Sequence, residues 1–283
     1  MSLIKERFDR LQRQGRKALV TYITAGDPSP EVTLQLMHAL VRSGADLLEL
    51  GVPFSDPMAD GPVIQAACER ALVHHVGLRR VIELVREFRR EDMTTPVVLM
   101  GYLNPIEVMG YEVFAQAAAA AGVDGLLTVD LPPEEAISVL GPIRAQGLDP
   151  IFLIAPTSVD ARIESICKQA QGFVYYVSLK GVTGATTLDV ESVAERVEAI
   201  RRHTDLPVGV GFGINDAETA GRVAAVADAV VVGSAVVRLI EAHGSEPERL
   251  IEAVAHLIGG MREAIDASSS ERATAQPGAG GIR

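Results

Sequence analysis

Short runs of β-branched residues alternate with longer helical patterns eight times along this 283-residue chain. The longer stretches carry apolar residues at helical spacing, as in Val32, Leu36 and Leu40. Strand–helix alternation on this scale predicts a parallel sheet with right-handed crossovers. Eight units favour a closed α/β fold, the (β/α)8 TIM barrel, which typically needs about 250 residues; an open doubly wound sheet is the alternative. The predicted strands are Ala18–Thr24, Leu47–Leu50, Val97–Met100, Gly125–Val129, Pro150–Ile154, Phe173–Ser178, Pro207–Gly211 and Asp228–Val232.

Both ends of the chain carry segments beyond these eight units. Met1–Gln14 places apolar residues at helical spacing among charges, which predicts an extra N-terminal helix. The short apolar stretch Val236–Ile240 predicts another extra helix after the eighth strand. No linker divides the chain, so we predict one catalytic domain over residues 1–265. Residues 266–283 are rich in Ser, Ala and Gly without apolar periodicity, which predicts a disordered C-terminal tail.

Charge and cysteine usage limit the possible partners and compartments. The formal net charge of −11 opposes binding to nucleic acid or to an anionic membrane surface. Cys68 and Cys167 lie far apart, which argues against a disulfide framework or a zinc site and fits a reducing cytosol. The longest apolar region, Val223–Val237, is interrupted by Asp228 and is shorter than the roughly 20 residues of a membrane helix. We therefore expect a cytoplasmic protein without a membrane or nucleic-acid partner.

Glu49 lies at the end of the second predicted strand, on the same face as Leu47, because strand side chains alternate. If Leu47 fills the barrel interior, Glu49 lies above it at the mouth, where barrel enzymes have their active sites. Burial there would raise the pKa of the Glu49 carboxyl and suit it to acid–base chemistry near neutral pH. A structural carboxylate that caps a loop or pairs with an arginine is the alternative.

Asp60 supplies a second carboxylate in the loop that follows, which is rich in Pro, Asp and Gly. An aspartate before glycine commonly stabilises a turn. Two acidic groups at one barrel mouth with no lysine beside them nevertheless resemble an acid–base pair. We therefore take Glu49 and Asp60 as candidate catalytic residues.

Glycines follow the seventh strand, in Gly211-Phe212-Gly213, and the eighth, in Gly233-Ser234. Loops at these two places, with the N-terminus of a small extra helix, bind phosphorylated ligands on many barrels. Glycines let backbone N–H groups approach the anion, and the helix dipole supplies positive potential. The two clusters predict a phosphate site, although a glycine in a tight loop often serves geometry alone.

The absence of lysine and histidine from the predicted strand ends limits the reaction types that this barrel could catalyse. None of the four lysines falls in a predicted strand, which excludes a Schiff-base lysine there. The six histidines fall in or just beyond helical stretches, which argues against a metal-dependent aldolase and histidine acid–base catalysis. A carbon–carbon bond can still be broken without cofactor or metal when the substrate brings its own electron sink, as an indole ring protonated at C3 does. Glu49 and Asp60 could supply the acid–base carboxyl and the acceptor for the ring N–H.

The segment Glu49–Pro62, ELGVPFSDPMADGP, resembles the signature of tryptophan synthase α subunits. The resemblance is collinear and covers essentially residues 1–265. It implies a TIM-barrel lyase of L-tryptophan biosynthesis that splits indole-3-glycerol phosphate into indole and glyceraldehyde 3-phosphate. The further matching motifs are Gly26-Asp27-Pro28, Tyr102-Leu103-Asn104-Pro105, Asp130-Leu131-Pro132, Gly181-Val182-Thr183-Gly184, Gly211-Phe212-Gly213-Ile214 and Gly233-Ser234.

The resemblance also implies roles for individual residues. Glu49 would act at C3 of the indole and at the side-chain hydroxyl, and Asp60 would stabilise charge at the indole nitrogen. Alternation along the sixth strand leaves open which tyrosine faces inward; the resemblance selects Tyr175 rather than Tyr176. The pocket walls would be Tyr22, Met100 and Leu127, and the phosphate would be bound by Gly184, Gly213, Gly233 and Ser234.

A partner and a lid follow from the same resemblance. The family forms an α2β2 heterotetramer whose β subunit carries pyridoxal phosphate and receives indole through a channel, while the α subunit uses no cofactor or metal. The Pro53–Asp60 loop and the Asn104 region would face that partner. The Gly/Thr-rich loop after the sixth strand would be a lid over the substrate. Leu179-Lys180 stands where members often have an arginine two residues before the first glycine of this loop, which puts the closure of the lid in question.

Two other functions compete with this lyase. Another phosphosugar barrel, such as an indole-glycerol-phosphate synthase or an isomerase, would share the glycine turns, but the lack of a strand-end lysine weighs against the synthase. An inactive scaffold that only activates a β-type partner is the second. The presence of both Glu49 and Asp60 argues against it.

Overall fold

The computed structural model describes residues 2–178, 189–211 and 213–275, with side chains described up to residue 269. Eight parallel strands form a closed barrel in which each strand pairs with the next and the first pairs with the last. This confirms the predicted (β/α)8 barrel over the open sheet. All eight predicted strands are present, within one residue at each end: β1 Ala18–Thr24, β2 Leu47–Gly51, β3 Val97–Gly101, β4 Gly125–Thr128, β5 Asp149–Ile154, β6 Val174–Val177, β7 Val208–Gly211 and β8 Ala229–Val232.

Helices connect these strands and surround the barrel. The predicted extra helices are both confirmed, one before β1 and one after β8. The connections after β2 and β3 each contain two helices. One residue separates β3 from the first helix of its pair, whereas the loop 52–61 separates β2 from the first helix of the other pair. The helices are α1 Leu3–Arg13, α2 Pro30–Arg42, α3 Pro62–Val73, α4 Leu78–Phe88, α5 Leu103–Met109, α6 Tyr111–Ala121, α7 Ile137–Ala145, α8 Asp160–Gln169, α9 Val190–Arg201, α10 Ala217–Ala224, α11 Ser234–His243 and α12 Pro247–Ala275.

Helix α2 shows how local sequence sets these elements. The Ser29 hydroxyl accepts a hydrogen bond from the Val32 N–H at 3.3 Å and caps the helix N-terminus. Pro30 occupies the first turn, where a missing N–H removes no helical hydrogen bond. Leu36 and Leu40, four residues apart, are fully buried against the barrel. The helix therefore begins at its cap and packs by its spacing, as the sequence pattern predicts.

Two apolar layers hold the barrel together. The inner layer comes from alternate strand residues such as Leu47, Val98 and Phe173, and the outer layer lies between the strands and the helices. Helix α1 joins the inner layer, with Phe8 packed against Phe173 at a ring-centroid distance of 5.8 Å. Because Phe173 immediately precedes β6, α1 closes the end of the barrel where the strands begin. The candidate residue Glu49 lies toward the opposite end, where the strands finish.

The end of the chain differs from the sequence prediction. Residues 266–275 continue helix α12, although a disordered tail was predicted from residue 266 onward. Asp266 forms ion pairs with Arg16 at 3.0 Å and with Arg262 at 2.6 Å, so this turn is attached to the barrel. The composition of residues 266–283 does not reveal these two contacts, because both arginines lie outside that segment and Arg16 is 250 residues away. Residues 276–283 lie outside the described part of the chain.

No helix in the described part of the chain is long and apolar enough to cross a membrane.

Candidate active site

Strand β2 places Glu49 inside the barrel mouth, level with Tyr22 of β1 and Val98 of β3. The residue is 1% exposed, and no group in the described ranges forms a hydrogen bond with either carboxyl oxygen. Burial raises the pKa of Glu49 from 4.5 to about 8, because the charged form loses its hydration. The carboxyl is therefore mostly protonated at neutral pH and can both donate and accept a proton there.

Two tyrosines lie close to this carboxyl. Tyr175 packs with the inner layer of the barrel, whereas Tyr176 packs with the outer layer, so Tyr175 is the inward-facing residue that the family resemblance selects. Burial raises the pKa of Tyr175 well above its usual value, and the Glu49 carboxylate raises it further. Burial also raises the pKa of Tyr22, whose hydroxyl lies 3.1 Å from Thr24 Oγ1. Both phenols therefore stay protonated and line the mouth as neutral groups.

Glycines at the ends of β2 and β7 make room for these rings. A Cβ atom at Gly51 would overlap the Tyr22 hydroxyl oxygen, and one at Gly211 would overlap the Tyr175 hydroxyl oxygen. From the sequence, Gly211 is predicted only as part of a phosphate-binding turn. Its contact with Tyr175 crosses from β7 to β6 and is set by the register of the barrel.

The Asp60 carboxylate is held in place by Tyr102, which follows β3. The Tyr102 hydroxyl donates to Asp60 Oδ2 at 2.9 Å and accepts from the Ala59 N–H at 2.9 Å. Burial raises the pKa of Asp60, and the hydrogen bond from Tyr102 opposes that rise. In the described ranges no hydrogen bond reaches Oδ1 of Asp60. From the sequence, Tyr102 is recognised only as part of a motif, without a role. Its contact with Asp60 joins the loops after β2 and β3, which lie far apart in the chain, so no local pattern predicts it.

An apolar wall completes the mouth. Met100 and Leu127 are direct neighbours in the register of β3 and β4, and Leu127 is fully buried. Tyr22 and Met100 also contact apolar side chains of two helices, which sequence reasoning did not assign to the site. These side chains are Val63, Ile64 and Ala67 of α3 and Val237 of α11.

Helix α11 begins at Ser234 with its first N–H groups uncapped by a side chain, because Gly233 is its N-cap. Such a helix end offers backbone donors and a positive dipole to an anion. Gly213, after β7, has a φ of 77°, a conformation that favours glycine. Gly184, the Leu179-Lys180 departure and the rest of the predicted lid lie outside the described residues.

The fold and this mouth define a protein of the (β/α)8-barrel class with two carboxyl groups, Glu49 and Asp60, where the strands end. Across the described residues, no three His, Cys, Asp or Glu side chains are grouped in a way that could hold a metal ion.

Comparison with known proteins identifies the family. Residues 8–266 match the model described as tryptophan synthase alpha chain. The chain is 66% identical to the tryptophan synthase alpha chain of Thioalkalivibrio sulfidiphilus, and the match covers 94% of this chain and 100% of that one. It is 63% identical to the tryptophan synthase alpha chain of Nitrosococcus oceani, and the match covers 95% of this chain and 100% of that one. The crystal structure of tryptophan synthase subunit alpha from Legionella pneumophila matches with a TM-score of 0.87 and 47% identity, covering 94% of this chain and 99% of that chain. The chain therefore belongs to the tryptophan synthase alpha chain family, and it is a lyase of tryptophan biosynthesis.

Proposed function

We propose that the chain cleaves indole-3-glycerol phosphate into indole and glyceraldehyde 3-phosphate by a retro-aldol reaction with Glu49 as the acid–base group. One observation carries this assignment: Glu49 is a buried carboxyl at the barrel mouth, with a pKa of about 8 and without a hydrogen-bond partner in the described ranges. A carboxyl that merely stabilised a loop would be paired with a donor.

The reaction needs two proton transfers that one such group can perform. The protonated Glu49 carboxyl gives its proton to C3 of the indole, and the ring nitrogen takes up the positive charge. The Glu49 carboxylate then accepts the proton of the hydroxyl on the adjacent side-chain carbon. The bond between that carbon and C3 breaks, its electron pair restores the neutral indole, and the hydroxyl carbon becomes the aldehyde. Glu49 ends protonated, as it began.

Asp60 and the glycine turns would hold the two ends of the substrate. Oδ1 of Asp60 is free to accept the indole N–H, and the negative charge of the carboxylate stabilises the cationic ring. The uncapped end of α11, at Gly233 and Ser234, would bind the phosphate together with the turn at Gly213.

Indole release tests the assignment directly. The purified chain, with and without a tryptophan synthase β subunit, is incubated with indole-3-glycerol phosphate while indole is measured. Replacing one acid–base group typically costs about 10²–10⁴ in rate, so Glu49→Gln should show no detectable indole release while its circular dichroism spectrum is unchanged. Glu112→Gln on the exposed face of α6 is the control and should release indole as the wild type does. Substantial cleavage by Glu49→Gln rejects the role of Glu49.

We further propose that the loop 53–60 and the region of Asn104 bind a β subunit, which carries pyridoxal phosphate, in an α2β2 complex. Met58 in this loop is 88% exposed, and Val108 on α5 is 81% exposed. Exposed apolar side chains on this loop and on the adjacent helix α5 support an interface there. Met58→Lys should weaken association with the β subunit in sedimentation experiments, and Val113→Lys on α6 is the matched control. The buried free cysteines fit the cytoplasm as the compartment.

A further inference from the structure

Arg70, on α3, connects three elements around the mouth. Its Nε donates to Asp27 Oδ1 at 2.8 Å and its Nη2 donates to Asp27 Oδ2 at 2.7 Å. Its Nη1 lies 3.6 Å from Glu241 Oε1 on α11. Asp27 follows β1 and is completely buried. The guanidinium therefore ties α3 both to the end of β1 and to α11.

The two helices joined in this way carry opposite ends of the proposed substrate site. The first turn of α3 holds the catalytic loop, because the Gln65 amide donates to the backbone oxygen of Asp60 at 2.8 Å. The N-terminus of α11 is the proposed phosphate turn. Ala67 and Val237 belong to one apolar cluster between the helices. Arg70 and Glu241 follow them by three and four residues, so the ion pair lies one turn further along the same helix contact.

Several contacts hold Asp27, the partner of Arg70, and the neighbouring Gly26 in position. The Asp27 N–H donates to Thr24 O at 3.2 Å, and the Gly26 N–H donates to Thr33 Oγ1 at 2.9 Å. Val76, beyond the end of α3, packs so closely on Gly26 that a Cβ there would lie 2.7 Å from its side chain. A shift of α3 relative to β1 would disturb all of these contacts.

We propose that Arg70 is a positioning residue that sets the distance between Asp60 and the phosphate turn, an inference that rests on the proposed function. The substrate joins its indole and its phosphate covalently, so both subsites must stand at a fixed separation when C3 meets Glu49. Misplacement of a reacting group by about 1 Å can cost roughly 100-fold in rate. Each product, in contrast, occupies only one subsite and is indifferent to that separation.

Comparison of the whole substrate with its two halves tests the proposal. We expect Arg70→Met to lower kcat/KM for indole-3-glycerol phosphate by roughly 10- to 100-fold. The dissociation constants of indole and of glyceraldehyde 3-phosphate, measured separately by calorimetry, should stay at wild-type values. Arg70→Lys keeps the charge but not the bidentate geometry and should recover part of the activity. Asp27→Asn combined with Arg70→Met avoids an unpaired buried carboxylate, so it keeps the fold while still lacking the connection.

Arg89→Met is the matched control, because Arg89 likewise pairs at 2.7 Å with a carboxylate that is largely buried, Asp124, beside the start of β3. It should lower Tm and leave kcat/KM unchanged at temperatures where the protein stays folded. The proposal is overturned if the Arg70 variants lower only Tm, or if they weaken the binding of both products as much as the turnover of the substrate. Absence of indole release by the wild type would instead reject the proposed function itself.

Discussion

At the scale of single residues, the burial on which the proposed role of Glu49 rests also makes the stability of the protein depend on pH. The pKa of Glu49 is about 8 in the folded protein, against an ordinary value of 4.5. Between these two values the folded state binds more protons than the unfolded state at this site. The contribution of Glu49 to the free energy of unfolding therefore falls as pH rises from about 4.5 to 8 and is level above 8.

Glu49→Gln removes this titration and should be more stable than the wild type at pH 8. The difference in free energy of unfolding should grow from pH 5 to pH 8, to at most about 5 kcal/mol. Urea unfolding of both proteins across this range measures it, with Glu112→Gln as the control. A difference that is independent of pH would contradict the burial of an ionisable Glu49.

The contact of Gly211 with Tyr175 gives a second prediction at this scale. In Gly211→Ala the new Cβ must displace the Tyr175 hydroxyl from the mouth, so kcat/KM should fall by roughly 10- to 100-fold. Gly259→Ala in α12 is the control, because a Cβ there meets no atom within 4 Å beyond its chain neighbours and its own helix backbone. It should keep full activity and gain up to about 1 kcal/mol of stability, since alanine favours a helix. Wild-type turnover by Gly211→Ala would show that the tyrosine position is unimportant.

At the scale of elements, the uncapped N-terminus of α11 is the feature on which the proposed phosphate site of this acidic protein rests. Ser234→Asp would place a carboxylate where the phosphate should bind, and KM should rise at least about tenfold, which corresponds to about 1.4 kcal/mol. Tm should not fall, because an aspartate in the first turn stabilises a helix. The control is Ser192→Asp, which adds the same charge in the exposed first turn of α9. An unchanged KM for Ser234→Asp would exclude this helix end as the phosphate site.

At the scale of the whole molecule, helix α1 packs against one end of the barrel and the candidate catalytic residues lie at the other. Phe8 of this helix packs against Phe173, so Phe8→Ala should lower the free energy of unfolding by about 3–5 kcal/mol while KM and kcat stay at wild-type values. Gln12→Ala, on the exposed face of the same helix, should have little effect. Denaturant unfolding and indole release on the same samples separate stability from activity. Loss of activity without loss of stability in Phe8→Ala would show that the two ends are coupled.

At the end of the barrel where the strands begin, three aspartates join elements that are far apart in the sequence. Asp46, Asp124 and Asp228 each accept a backbone N–H from a neighbouring strand, at 3.0, 2.8 and 3.1 Å. Each also pairs with an arginine from another element. Nothing in the local sequence around these aspartates distinguishes them from solvent-exposed ones, because their partners lie 20 or more residues away.

The sequence by itself determined the order of strands and helices and the place of Glu49 above Leu47. These follow from local periodicity: two residues per repeat in a strand and 3.6 in a helix. The tertiary structure decided which tyrosine faces inward, the pairing of Asp60 with Tyr102 and the contacts of Arg70 with Asp27 and Glu241. Those contacts depend on the register of the closed barrel and on how helices pack around it, and such long-range geometry leaves no periodic trace in the chain.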